Sequence, residues 1–326
     1  MEYRRQPVIQ TRNLTKKFGD FTAVDSLDLS IRQGEIYAFL GPNGSGKTST
    51  IMMILGLSTP TSGEIQLFGK PLDPADLSVR QRIGVVPEKH PMGMWQWMTA
   101  GDYLSFFADL FKVKDSEKRI ERLLSHVELS QFKNRKISGF SRGMLQKLSF
   151  VRALLHDPDI LILDEPQSGL DPIGIKQIRD LILEENREGR TILTSSHLLS
   201  EMERICHRVA IIYQGRLLAE DTTENILSGL TENREFHIDL DTIPEGICPA
   251  LKTLPFVIDA VLDGKRLTIT VDRKQDYRKA LSEFIIGKGS IPLLIQEKTL
   301  SLEEAFITIT QENLSLFTGS GGKHES

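Results

Sequence analysis

The run GPNGSGKT, Gly41 to Thr48, holds the densest chemistry in this chain. It fits the pattern G-x-x-x-x-G-K-[ST] throughout, and each fixed position has a physical task. Glycines let the backbone wrap so that successive N–H groups aim at phosphate oxygens. Gly41, Pro42, Asn43, Gly44, Ser45, Gly46, Lys47, Thr48 and Ser49 are therefore the candidate phosphate-binding residues. Lys47 supplies a point charge for the β- and γ-phosphates, and the Thr48 hydroxyl takes one Mg²⁺ coordination site. The loop implies a bound nucleoside triphosphate.

A second cluster decides what happens to that nucleotide. In ILILDE, Ile160 to Glu165, four apolar residues predict a buried strand ending in two adjacent carboxylates. Side chains alternate along a strand, so Asp164 and Glu165 cannot share a role. Asp164 is expected to face the phosphate loop and hold Mg²⁺, directly or through water. Glu165 is expected to face the γ-phosphate and polarise the attacking water.

These residues need elements to position them. IYAFL, Ile36 to Leu40, reads as a buried strand before the loop, and TSTIMMILGL reads as a helix after it. Phosphate then sits at a helix N-terminus, where unpaired N–H groups and the macrodipole favour an anion. VIQTRNL and FTAVDSLDLSI read as earlier strands, EIQLFG and IGVVP as later ones. Helical periodicity runs from about Thr99 to Leu155. Strands return with DILILDE, TILTSS and RVAIIY, between helices around Ile173–Glu188 and Leu198–Cys206. Such alternation predicts an α/β fold with a largely parallel sheet covered on both faces.

The texture changes near Ser228–Glu235. Beyond it the order is β-α-β-β-α-β, the pattern of a small ferredoxin-like α+β domain, followed by a helix opened by a Ser301/Glu304 capping box. The expected organisation is a nucleotide-binding domain over 1–230, an accessory domain over 231–313 and a disordered tail over 314–326.

The chain has 326 residues and a formal charge of −4 with both signs interspersed, so no nucleic-acid partner is expected. Its two cysteines, Cys206 and Cys248, have no metal or redox spacing. No apolar run approaches a bilayer span, and MEYRRQPVIQ lacks the apolar core of a signal peptide. A cytoplasmic location follows, with any membrane role exercised through a partner.

FSRGM, RALLHDPDILILDEPQSGLDP and TILTSSHLLSE, in that order after the phosphate loop, resemble the ATP-binding subunit of an ABC transporter over roughly residues 7 to 230. The resemblance implies a P-loop NTPase cassette with a mixed, mainly parallel sheet, an antiparallel β subdomain and a helical subdomain at about 90–155. It implies ATP and Mg²⁺ as cofactors, and catalysis by Glu165 and His197. Two cassettes would sandwich two ATP molecules, with Ser141 and Gly143 of one facing the phosphate loop of the other. Asp171 would reach across that dimer, and His197 would donate a hydrogen bond to the γ-phosphate. Phe18 matches the aromatic that stacks on adenine. The subunit would sit at the cytoplasmic membrane face through a separate permease.

Three features depart from the family pattern. FSRGM stands for LSGGQ, so Phe140, Arg142 and Met144 replace Leu, Gly and Gln. Glu88 stands at the usual glutamine of the Q-loop and is expected on the metal side. Gln167 stands where Thr or Ser is usual. The combination IGVVPE…MTAGDYL with SRGM resembles drug- and polysaccharide-export cassettes, as does the β-α-β-β-α-β extension closing on SLEEAF. That extension carries no visible chemical constellation, and a dimer-stabilising or regulatory role is expected of it. HPMGMWQWM is read either as packing of the helical subdomain or as an apolar groove for a permease helix. Two other readings remain open: a soluble ABC ATPase of translation or DNA repair, and a non-catalytic nucleotide sensor.

Overall fold

The computed structural model describes residues 7–88, 94–230, 233–298 and 300–319, with side chains as far as Gln311. A long hairpin opens the chain: β1 (Pro7–Phe18) and β2 (Phe21–Arg32) pair antiparallel and end on the Phe18–Phe21 pair. β1 outruns the VIQTRNL strand expected for it. Register shifts flank Asn13, whose φ is 48°, and a bulge of this kind lets a strand bend and continue.

β3 (Ile36–Leu40) is buried at every residue and leads through the phosphate loop into α1 (Lys47–Ile54). β4 (Ser62–Leu67) and β5 (Lys70–Pro71) join the hairpin in an antiparallel sheet ordered β2-β1-β4-β5. Helix α2 (Leu77–Arg80) and strand β6 (Ile83–Val86) follow. Then come α3 (Ala100–Leu110), α4 (Ser116–His126) and α5 (Arg142–Leu154), the helical segment. Thr99 caps α3 by accepting from the Asp102 N–H.

β7 (Ile160–Asp164), α6 (Pro172–Arg187), β8 (Thr191–Ser196), α7 (Leu199–Glu203), β9 (Arg208–Tyr213) and β10 (Arg216–Thr222) complete the six-stranded sheet. Its order is β10-β9-β3-β8-β7-β6, parallel except for the antiparallel edge strand β10. β7 and β8 are, like β3, buried at every residue, as expected of strands covered on both faces. One apolar cluster joins the inner side of the hairpin (Ile9, Leu27, Ile31) to Tyr37, Phe39, Ile51, Met53 and Ile162. Burying each such side chain stabilises the fold by about 1.5–3 kcal/mol.

The strand order serves the site. Leu40 pairs with Ser196, and Asp164 with Ser195, so the carboxyl ends of β3, β8 and β7 lie side by side. Loops leaving those ends share one crevice, the usual ligand position in an open α/β sheet.

The second compact unit spans Glu224–Thr308. Its elements are most of α8 (Thr223–Gly229), β11 (Arg234–Leu240), α9 (Ile247–Leu251), β12 (Val257–Asp263), β13 (Arg266–Val271), α10 (Arg278–Gly287), β14 (Pro292–Lys298) and the start of α11 (Leu302–Gly319). The antiparallel order is β12-β13-β11-β14. β13 separates β11 from β12, and β11 separates β13 from β14, so each β-α-β crossover is split by one strand. Phe236, Ile238, Leu267, Ile269, Leu281 and Ile285 form its core.

Two boundaries differ from the sequence reading. The second unit begins at Glu224, the second residue of α8, whereas the composition shifts only at the end of that helix. The expected tail at 314–326 overlaps α11, which continues to Gly319. No Gly or Pro interrupts residues 302–318, so nothing in that stretch breaks the helix. The remainder of the tail lies outside the described residues.

Candidate active site

The phosphate loop closes with Gly46 as N-cap of α1, and neither a side-chain cap nor an acidic residue occupies that first turn. The first N–H groups of the helix are thus left for a ligand. Gly46 has φ of 106°, and a methyl group there would stand 2.6 Å from the Ala23 carbonyl oxygen. Only glycine fits. Pro42, Asn43, Gly44 and Thr48 are exposed, Ser49 is half-buried, and Gly41, Ser45, Gly46 and Lys47 are buried. Lys47 Nζ donates to Gly41 O at 2.7 Å and Pro42 O at 3.2 Å.

The two carboxylates part company as the sequence reading requires, but by a different device. Asp164 ends β7, with Oδ1 3.5 Å from the Thr48 hydroxyl. Glu165 has left the strand: its φ is 48°, an uncommon left-handed conformation for a side-chain-bearing residue. Its N–H donates to Ser195 Oγ at 2.9 Å, and that hydroxyl donates to Asp164 Oδ1 at 2.5 Å. Glu165 Oε1 lies 3.5 Å from Lys47 Nζ, and Oε2 lies 2.7 Å from His197 Nδ1. When the neutral His197 ring donates its Nδ1–H to Glu165 as a hydrogen bond, Nε2 is left as an acceptor. Donation to a phosphate from Nε2 then needs the imidazolium, or exchange of the Glu165 contact.

Ser195 is the residue that sequence reasoning missed. Its only sequence signal is a hydroxyl just before the SSH histidine. Ser195→Ala removes the partner of two buried groups, which costs about 1–3 kcal/mol. It is expected to lower kcat with little change in ATP affinity. Ser195→Thr keeps the hydroxyl and should retain both; turnover and thermal melting of the two variants check this.

The donor set at Thr48 and Asp164, a hydroxyl and a carboxylate, suits a hard cation. Among the described residues no cluster of three or more His, Cys, Asp or Glu could hold a metal without substrate oxygens. Mg²⁺ commonly completes its shell with water and phosphate, so these residues fit the ion. Glu88 is exposed, two residues past β6.

Ser141 is the N-cap of α5, with its hydroxyl accepting from Met144 N at 3.3 Å. Asp171 likewise caps α6, accepting from Gly174 N at 2.8 Å. With Gly143 they line one surface hollow of about 420 Å³, to which none of Gly41–Thr48 contributes. Phe18 stands at the hairpin tip, 56% exposed, with Lys16 Nζ 5.0 Å from its ring centre. A core role for Phe18 is thereby excluded. Gln167 is 2% exposed, and its amide finds no hydrogen-bond partner among the described residues. Nothing in the structure explains the choice of Gln there.

Comparison with known proteins decides the family. Residues 24–168 match the ABC transporter family model. Over 232 residues the chain is 41% identical to the bacitracin transport ATP-binding protein BcrA of Bacillus licheniformis, covering 71% of this chain and 75% of that one. This chain is an ABC transporter ATP-binding subunit. It is also 33% identical over 311 residues to the Nod factor export ATP-binding protein I of Cupriavidus metallidurans, covering 93% and 97% of the two chains. Among solved structures, cbiO1 from Clostridium perfringens, part of the ABC transporter complex cbiONQ, superposes with a TM-score of 0.63 at 27% identity. That match covers 69% of this chain and 92% of cbiO1. The cassette therefore binds and hydrolyses ATP, and no described helix is long and apolar enough to cross a membrane.

Proposed function

We propose that this cassette pairs with a second copy around two Mg²⁺–ATP and powers export through separate membrane subunits. One observation carries the pairing: Ser141, Gly143 and Asp171 share a hollow that their own phosphate loop does not enter. Half of each site must then come from another chain. Within one site, Gly41–Ser49 cradle the phosphates, Thr48 and Asp164 hold Mg²⁺ with Glu88 on the metal side, and Phe18 stacks on adenine. Held there, the ion would offset the negative charge of the phosphate oxygens. Glu165 polarises the attacking water, and His197 holds the Glu165 carboxylate and reads the γ-phosphate. Convergence of Lys47, Glu165 and His197 supports turnover over mere nucleotide sensing. The export direction rests on relatives such as the Nod factor export ATP-binding protein I.

The membrane contact belongs to the HPMGMWQWM segment, of which residues 90–93 lie outside the described residues. Its two tryptophans have separate fates. Trp95 packs on Tyr103, Phe106 and Phe107 at centroid distances of 6.0, 5.2 and 5.8 Å, so it belongs to the helical segment. Met94 and Trp97 are about 70% exposed and joined by a hydrogen bond from Trp97 Nε1 to Met94 O at 2.9 Å, and Phe106, which Trp95 contacts, is 44% exposed. Such an apolar surface fits a helix of a membrane subunit. Met94→Ala with Trp97→Ala is expected to release the chain from membranes of its own cell while ATP binding persists. Unchanged co-sedimentation of the double variant would overturn this docking surface.

A further inference from the structure

Arg142 stands where the family pattern has glycine, and no role in phosphate binding has been given to it. It is the first residue of α5, directly after Ser141. Its guanidinium lies on the SGLD turn and fills the place of a side chain at Gly169: a methyl group there would stand 2.0 Å from Arg142 Nη1 and 2.2 Å from Cζ. Gly169 also has φ of 66°, so its conformation and its neighbour both exclude a side chain. A cation in the first turn opposes the helix dipole, so Arg142 is not there for the helix. Among the described residues it makes no ion pair, whereas nearby Lys147 pairs with Glu128 at 3.4 Å.

We propose that Arg142 is a positioning residue that locks α5 to the SGLD turn, so that Ser141, Gly143 and Asp171 meet the second copy as one body. This rests on the paired-cassette reading above. A planar guanidinium can lie flat against the glycine backbone, which a compact ammonium cannot. Contact of Ser141 with one γ-phosphate then moves Asp171 with it, and the two sites of the dimer become coupled.

The test uses the full chain with Arg142→Ala, Arg142→Lys and Gly169→Ala, read as turnover against ATP concentration and as ATP affinity of the single chain. Both Arg142 variants should keep that affinity, lose roughly 10- to 100-fold in kcat, and drop towards a Hill coefficient of one. Gly169→Ala should be impaired alone by backbone strain and by the clash with Arg142, and in the Arg142→Ala background it should keep only the part due to strain, so the pair is less than additive. Full cooperativity in Arg142→Ala, recovery in Arg142→Lys, or additive effects of Arg142→Ala and Gly169→Ala would overturn the proposal. A native chain without cooperativity, together with a Glu165→Gln chain that stays monomeric in ATP, would instead remove the paired-cassette reading and this proposal with it.

Discussion

Replacing Glu165 with Gln is expected to slow ATP hydrolysis by roughly 10²–10⁴-fold while ATP binding survives. Gln keeps the shape and the contact with His197 but cannot draw a proton from water. The phosphate-binding groups at Gly41–Thr48 are untouched by the change. ATP should therefore accumulate between paired cassettes, and the variant should run as a dimer in ATP and a monomer in ADP. Single-turnover hydrolysis and light scattering measure the two halves of this expectation. Hydrolysis at the native rate would remove Glu165 as the base. Slow hydrolysis without dimerisation would keep the base and dismiss the second copy.

Lys47→Ala should do more than abolish nucleotide binding. Lys47 and Glu165 are 5% and 8% exposed, and their charged atoms lie 3.5 Å apart. Removing one member of a buried pair costs about 3–5 kcal/mol, because the other charge stays uncompensated. Melting should fall on the order of 10 °C. Adding Glu165→Gln removes the orphaned charge, so the double variant should regain much of that loss without recovering ATP binding. Calorimetry of the three variants decides it. An equal loss for Lys47→Ala in both backgrounds would show that the buried pair has no energetic coupling.

What could be read from the sequence was contiguous. The phosphate loop spends eight successive residues on one backbone path, and Gly46 matches its left-handed conformation. The apolar run before Asp164 likewise declares a strand covered on both faces. The strands and helices of the second unit were legible because each is short and bounded by turn residues. Contacts between distant segments were not. Glu165 meets His197 only because β7 and β8 are neighbours, and the turn at Glu165 is set by a hydroxyl 30 residues away. Strand alternation gave Asp164 and Glu165 different directions for a reason that does not operate, since Glu165 has left the strand. The separate environments of Trp95 and Trp97 depend on the aromatic face of α3, which no local pattern reveals.

Lys47 has one further consequence. Its ammonium already faces three oxygens, of Gly41, Pro42 and Glu165. Phosphate thus does not add a counterion to a bare cation; it substitutes for one that the protein carries. In the proposed reaction, nucleotide entry is an ion exchange in which the displaced anion is the carboxylate assigned to polarise water. On that proposal one carboxylate oxygen, Oε1, is freed by the arrival of its own substrate while Oε2 stays with His197.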